Sequence, residues 1–115
     1  MTDHALSAAE IADWLAGTPG WRHIGGVIQR VFDTDGWRGS MLVANAIGFM
    51  CEAADHHADV LITWPRVTVS LSTHSAGGIT AKDLEVAALI ERHVGWKPGP
   101  GSCLTGPAVP FVKPG

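Results

Sequence analysis

The sequence predicts an α+β domain with the element order αββαββα, in which one four-stranded antiparallel sheet carries three helices on one face. Three observations predict it: alternating apolar side chains in short segments, helical periodicity in longer ones, and glycine or proline turns between them. At 115 residues with 46 % hydrophobic composition, the chain can build one small domain with a real core.

Capping and turn residues indicate the first helix and the first hairpin. Ser7 and Glu10 have the spacing of a capping box, which predicts a helix from about Ser7 to Ala16. Residues 21–33 are rich in β-branched and aromatic residues and are interrupted by Gly25-Gly26. This segment is therefore expected to form two short strands joined by a tight turn.

The middle of the chain is apolar on nearly every side of a helix. From Trp37 to Ala54 there is no proline, and apolar residues cover more than one stripe. Such a helix is expected to be buried on more than one side. In so small a protein the second cover is expected to come from another subunit.

A second hairpin and a last helix follow. Residues 60–64 and 67–71 alternate between apolar and polar side chains, which predicts two half-buried strands with a turn at Pro65-Arg66. Thr80, with Asp83 three positions later, is the candidate N-cap of the last helix.

Composition divides the chain into a domain, residues 1–94, and a Gly/Pro-rich C-terminal extension, residues 95–115. The extension holds five of the seven prolines and five of the fourteen glycines, which no helix or central strand tolerates. Trp96 and the stretch "AVPFV" offer apolar anchors. We expect the extension to pack over the domain or over a neighbouring subunit.

Charge and apolar run lengths exclude several classes of function. The net charge is −3 with only eight Lys and Arg, so no basic patch is expected to bind nucleic acid. No run approaches the roughly 20 apolar residues that cross a membrane. The acidic N-terminal stretch does not resemble a signal peptide, and two cysteines make no disulfide framework. These features predict a cytoplasmic protein.

Three of the six histidines lie where they could act together. His56 and His57 follow the middle helix, and His74 extends the polar face of its strand if the strand runs that far. A metal site is not expected, because adjacent residues of an extended chain point apart and the i, i+4 pair of zinc motifs is absent. Proton transfer suits imidazoles, whose ordinary pKa lies near neutral pH. Capping or surface roles are the alternatives that the residues alone leave open.

The residues around these histidines resemble the pattern of the pterin-4a-carbinolamine dehydratases, also called 4a-hydroxytetrahydrobiopterin dehydratases. The pattern is met, with the family's spacings, by Glu52, His56, His57, Trp64, His74 and Asp83. The stretches "PGWR", "FMCEAADHH" and "VTVSLSTHSAGGITAKDLEVAALIE" are also similar. The resemblance runs from about residue 7 to residue 94 and implies the same αββαββα order.

The resemblance implies a pocket for a reduced pterin that carries a hydroxyl on C4a. Loss of water from this substrate produces the quinonoid dihydropterin. By the same resemblance His56 and His74 are the acid/base pair, and His57 holds or polarises the pterin. The pterin is itself the substrate, so the resemblance implies no metal and no organic cofactor.

Further site residues and the assembly are implied in the same way. Trp21 and Trp64 would be apolar walls for the flat heterocycle, although core packing explains either tryptophan equally well. Glu52 and Asp83 would orient imidazoles or bind pterin amides. The family also suggests a homodimer or a homotetramer.

Two departures from the family pattern favour an alternative function. Ala58 stands where the family usually has proline, and the chain continues past the point where typical members stop. The family includes a member that aids the dimerisation of a transcription factor, and carboxysome-associated members that act as RuBisCO assembly factors. The alternative is therefore a non-catalytic binding protein, for example a carboxysome chaperone whose partner is RuBisCO.

Overall fold

The computed structural model describes residues 4–114, and within them the order of elements is the predicted one. The helices and strands are α1 (Ala8–Ala16), β1 (Trp21–Ile24), β2 (Val27–Asp33), α2 (Trp37–Ala54), β3 (Asp59–Thr63), β4 (Arg66–Leu71) and α3 (Ala81–Val94). A short 3₁₀ helix at His74–Ala76 precedes α3. The predicted α+β fold class is confirmed.

The starts of α1 and α3 are fixed by local hydrogen bonds, as predicted. The Ser7 hydroxyl accepts from the Glu10 N–H at 3.1 Å, and the Glu10 carboxylate accepts from the Ser7 N–H at 2.9 Å. That second bond holds the pKa of Glu10 below its usual value, so its stabilising effect is lost as the pH falls through this lowered pKa. Thr80 and Asp83 form the equivalent box on α3.

The sheet consists of the two predicted hairpins placed side by side. Its strand order is β1-β2-β4-β3, and every neighbouring pair is antiparallel. The hairpins join along β2 and β4, where Ile28 pairs with Leu71 and Phe32 with Val67. These side chains are buried in the single core, which includes residues of all three helices described in residues 4–114. Among residues 4–114, no helix packs on the opposite face of the sheet.

Two local predictions need correction. The turn between β3 and β4 consists of Trp64 and Pro65, and Arg66 already belongs to β4. Proline has no N–H for the ladder, so pairing stops at Thr63 and Arg66 and leaves Trp64 exposed in the turn rather than half-buried in a strand. His74 does not extend the polar face of β4, because the strand ends at Leu71.

The middle helix is covered on one side only within the described chain. Its buried residues are Gly39, Ser40, Val43, Ile47, Met50 and Cys51. Its outer side exposes Trp37, Leu42 and Phe49, the last with 75 % of its surface accessible. No helix in residues 4–114 combines the length and apolar character that a membrane span requires.

Candidate active site

One end of the sheet brings together two stretches of the chain, residues 56–59 and residues 70–82. The C-terminal end of α2, the start of β3, the end of β4 and the first turn of α3 meet there. They enclose a polar pocket of about 430 Å³, which we call the histidine pocket. It is lined by His56, His57, Ala58, Asp59, Ser70, Ser72, Thr73, His74, Ser75 and Lys82. All three candidate histidines therefore face one cavity.

The end of α2 determines the position of His56. Asp55 adopts the left-handed conformation with φ of 54°, and it is the one non-glycine residue with positive φ in residues 4–114. The N–H groups of His56 and Asp55 donate to the carbonyls of Cys51 and Glu52, which is the bonding pattern of a Schellman motif. Aspartate tolerates this conformation better than most residues. The reversal directs His56 back toward α3.

A buried carboxylate holds His56. Its Nε2 lies 2.6 Å from Oδ1 of Asp83, whose side chain is fully buried. The other oxygen of Asp83 accepts from the Thr73 hydroxyl at 2.8 Å and from the Thr80 N–H at 2.9 Å. A carboxylate only accepts, so His56 carries its proton on Nε2 and its Nδ1 is the atom that can accept a proton. The ring is thus fixed in both orientation and tautomer.

The hydroxyls behind Asp83 form an ordered chain. The single hydroxyl proton of Thr73 is donated to Asp83, so the 2.8 Å contact between Thr73 and Thr80 must use the hydroxyl proton of Thr80. The Thr80 hydroxyl in turn accepts from the N–H of Lys82. The same residues thus cap α3 and satisfy the buried carboxylate. No buried side-chain nitrogen or oxygen in residues 4–114 is without a partner.

His57 is held much less firmly than His56. Its Nε2 lies 2.8 Å from Oε1 of Glu52, but 58 % of the His57 side chain and 83 % of the Glu52 side chain are exposed. Exposed pairs of this kind are worth about 0–1 kcal/mol. Glu52 therefore orients His57 weakly and does not line the pocket itself.

A small loop presents His74. Thr73 and Gly78 form an isolated bridge, with a 2.8 Å bond from the Thr73 N–H to the Gly78 carbonyl. Gly77 closes the loop with φ of 70°, a conformation that glycine adopts without strain. The loop carries His74 past the end of β4 and into the wall of the pocket.

Neither Trp21 nor Trp64, the two tryptophans predicted to contact a ligand, lines this pocket within one chain. Trp21 is 5 % exposed, on the helix-covered side of edge strand β1, and its indole N–H donates to Glu91 at 2.8 Å. It also packs edge-to-face on Trp14, with ring centroids 6.2 Å apart. Trp64 lies in the β3–β4 turn, beside Gly36. That either tryptophan forms a wall for a ligand therefore stays a prediction.

Several residues of the pocket were not anticipated from the sequence. Ser70 lies on the helix-free face of β4 and Ser72 just past its end, and their alternation with buried Val69 and Leu71 was a usable signal. Thr73 gave none, because its role depends on Asp83 ten positions later. Lys82, exposed in the first turn of α3, gave no signal either. Across residues 4–114, no three His, Cys, Asp or Glu side chains are grouped to hold a metal ion.

Comparison with known proteins points to one family. Residues 4–93 match the family model described as Pterin 4 alpha carbinolamine dehydratase. A provisionally named pterin-4-alpha-carbinolamine dehydratase of Thermosynechococcus vestitus is 42 % identical over 85 residues, covering 74 % of this chain and 90 % of that protein. One of Mycobacteroides abscessus with the same provisional name is 40 % identical over 95 residues, covering 83 % and 96 %.

A solved structure has the same architecture. It is titled a transcriptional coactivator/pterin dehydratase from Brucella melitensis, and it matches with a TM-score of 0.72 at 26 % identity. The match covers 76 % of this chain and 96 % of that one. In all these relatives the aligned part fills most of the other protein, which leaves them few residues for an extension like the one after residue 94.

Proposed function

Because the chain belongs to the pterin-4a-carbinolamine dehydratase family, we propose that it dehydrates a 4a-hydroxytetrahydropterin to the quinonoid dihydropterin by histidine acid/base catalysis. The observation that carries this proposal is the meeting of three imidazoles at one pocket, one of them oriented by a buried carboxylate. Adjacent acid and base groups are what removal of water from a C–O and an N–H bond requires.

The reaction takes place at two adjacent atoms of the pterin ring. The hydroxyl on C4a leaves as water when it receives a proton, and the neighbouring ring nitrogen loses one, so the atoms balance as one molecule of water. His56, with Nδ1 open, is suited to accept the ring proton, and Asp83 stabilises the imidazolium that forms. His74 donates to the leaving hydroxyl. His57 contacts or polarises the pterin, and the chemistry needs no cofactor.

The direct test is a rate measurement with a substrate generated in place. A 4a-hydroxytetrahydropterin released by a coupled hydroxylase or by peroxide oxidation is followed by ultraviolet absorbance, with and without the protein. We expect decay to the quinonoid product to be faster with the protein and insensitive to a metal chelator. A rate equal to that in buffer would contradict the proposal.

If the protein does not accelerate the reaction, the alternative is favoured: a binding protein of this fold, such as a RuBisCO assembly factor of the carboxysome. Two observations support keeping this alternative. The Brucella relative's title pairs a coactivator with a pterin dehydratase. The extension beyond the family match also carries exposed apolar side chains at Trp96, Leu104 and Val109.

The outer side of α2 supports assembly into a homodimer or homotetramer. Leu42 and Phe49, seven positions apart on the same side of α2, expose apolar side chains that a second subunit would remove from water. We expect light scattering at micromolar concentration to show at least a dimer, and Phe49→Glu to lower the mass. Leu61→Glu, on the helix-free face, is the matched control for an exposed apolar residue. A monomeric mass for the unaltered protein would show that this surface stays uncovered.

A further inference from the structure

The C-terminal tail, residues 95–114, forms an open loop that is fastened to the domain at both ends. At its start the N–H groups of Gly95 and Trp96 donate to carbonyls of the last turn of α3. At its end Val112 pairs with Thr34, and the Lys113 N–H donates to the Asp33 carbonyl at 2.9 Å. Between these ends the tail is almost entirely exposed.

The second attachment is closely packed. Phe111 accepts from the Asp35 N–H through its carbonyl at 3.1 Å and lies against Gly39 of α2. A Cβ added at Gly39 would come within 2.7 Å of that carbonyl oxygen, so only glycine permits this approach. Val112 packs against the core. The tail is therefore an integral wall of the domain.

The loop and the domain enclose a second cavity of about 780 Å³, which we call the tail pocket. Its lining is mostly apolar and includes Phe32, Trp96, Pro98, Leu104, Pro107 and Phe111. Volumes of this size with a largely apolar lining and a few polar groups are typical of small-molecule sites. The tail pocket shares no lining residue with the histidine pocket.

The residues that line the tail pocket carry an excess of positive charge. Arg30 and Glu91 neutralise one another: the guanidinium makes bonds of 2.9 and 3.3 Å to the carboxylate and lies 4.3 Å from the Phe32 ring centroid. Lys97 and Lys113 also line the pocket, and neither forms an ion pair with a carboxylate of residues 4–114. Two of the three lysines in an acidic chain thus face the same apolar cavity.

We propose that the tail pocket binds an aromatic organic anion, such as an aryl carboxylate or aryl sulfonate. The aromatic and proline side chains would cover the flat apolar body, which is the main source of affinity. The two lysines would attract the anionic group, which sets the preference over neutral compounds of the same shape. The site does not depend on the proposed dehydratase activity, and all but three of its seventeen lining residues lie outside the family match.

The test uses the full-length protein and the probe 8-anilinonaphthalene-1-sulfonate, with the uncharged N-phenyl-1-naphthylamine for comparison. We expect saturable fluorescence with one sulfonate per chain. The pair Lys97→Glu and Lys113→Glu should weaken sulfonate binding by about tenfold, because two favourable charges become repulsive. Binding of the uncharged probe should change little. Arg22→Glu with Arg92→Glu, exposed and outside the pocket, makes the same change in net charge and should have little effect.

A site-specific readout completes the test. In a ¹H–¹⁵N spectrum the indole signal of Trp96, assigned by Trp96→Phe, should move on titration, while that of Trp14, which lies on α1 outside the pocket, stays in place. The proposal is overturned if binding does not saturate, if both charge-reversed pairs bind alike, or if the shifts lie only around the histidines. It is also overturned if the probe lowers the mass in light scattering, since a second copy of the chain would then be the occupant.

Discussion

Replacing His56 or His74 by alanine is expected to lower the rate of pterin dehydration by about 10²- to 10⁴-fold, the usual contribution of one general acid or base. Both residues line the histidine pocket, and each loses its only proton-transferring group in the substitution. The loss should appear in kcat, because the interaction is made with the reacting atoms in the transition state. His57→Ala should act less on kcat and more on KM, since the proposal gives His57 a binding role.

The matched control for these substitutions is His23→Ala. His23 is exposed on β1 and does not line the pocket, so its removal should leave the rate unchanged. The thermal midpoint of each variant shows whether the fold is intact. If correctly folded His56→Ala and His74→Ala proteins both work at the unaltered rate, histidine acid/base catalysis at this pocket is wrong.

Asp83→Asn is expected to reduce both the stability of the protein and the rate of dehydration, although it replaces only one carboxylate oxygen by an NH₂ group. The buried carboxylate accepts from His56, Thr73 and Thr80, whereas an amide has one acceptor oxygen and turns its NH₂ toward a donor. A buried polar group left without its partner costs about 1–3 kcal/mol. An amide N–H facing Nε2 would also favour the other tautomer of His56 and place its proton on Nδ1, where the base is needed.

Urea unfolding and the pH dependence of kcat measure these two effects separately. Glu85→Gln makes the same chemical change at an exposed position of α3 and should alter neither. Thr73→Val removes one donor to Asp83 and should lower the rate partly, and Thr73→Ser should restore it. Unchanged unfolding and an unchanged pH profile in Asp83→Asn would show that the carboxylate neither supports the fold nor orients His56.

The elements of this fold could be predicted from the sequence because their determinants are local. The Ser7–Glu10 and Thr80–Asp83 boxes act within three residues, and alternation of apolar side chains identifies each strand without knowledge of its partner. The errors lay at boundaries. The turn at Trp64-Pro65 was displaced by one residue, and β4 ends at Leu71, before it reaches His74.

The candidate site was predictable only as a set of residue types. The family pattern selected Glu52, His56, His57, His74 and Asp83, but it did not say which carboxylate holds which imidazole. Pairing of His56 with Asp83 joins residues 27 positions apart, and it depends on the left-handed turn at Asp55 and on the packing of α2 against α3. The pattern also grouped the tryptophans with the histidines, whereas Trp21 is buried on the helix-covered side of the sheet.

By itself the sequence determined the αββαββα order, the helix caps, the hairpins and the family, because each depends on neighbouring residues or on fixed spacing. Tertiary structure alone decided the hydrogen-bonded partners of His56 and His57 and the cavity behind the tail. The docking of Phe111 on Gly39 shows the reason: the contact spans 72 positions of the chain, and no local propensity specifies it. Contacts of this kind form only where packed elements bring distant segments to the same place.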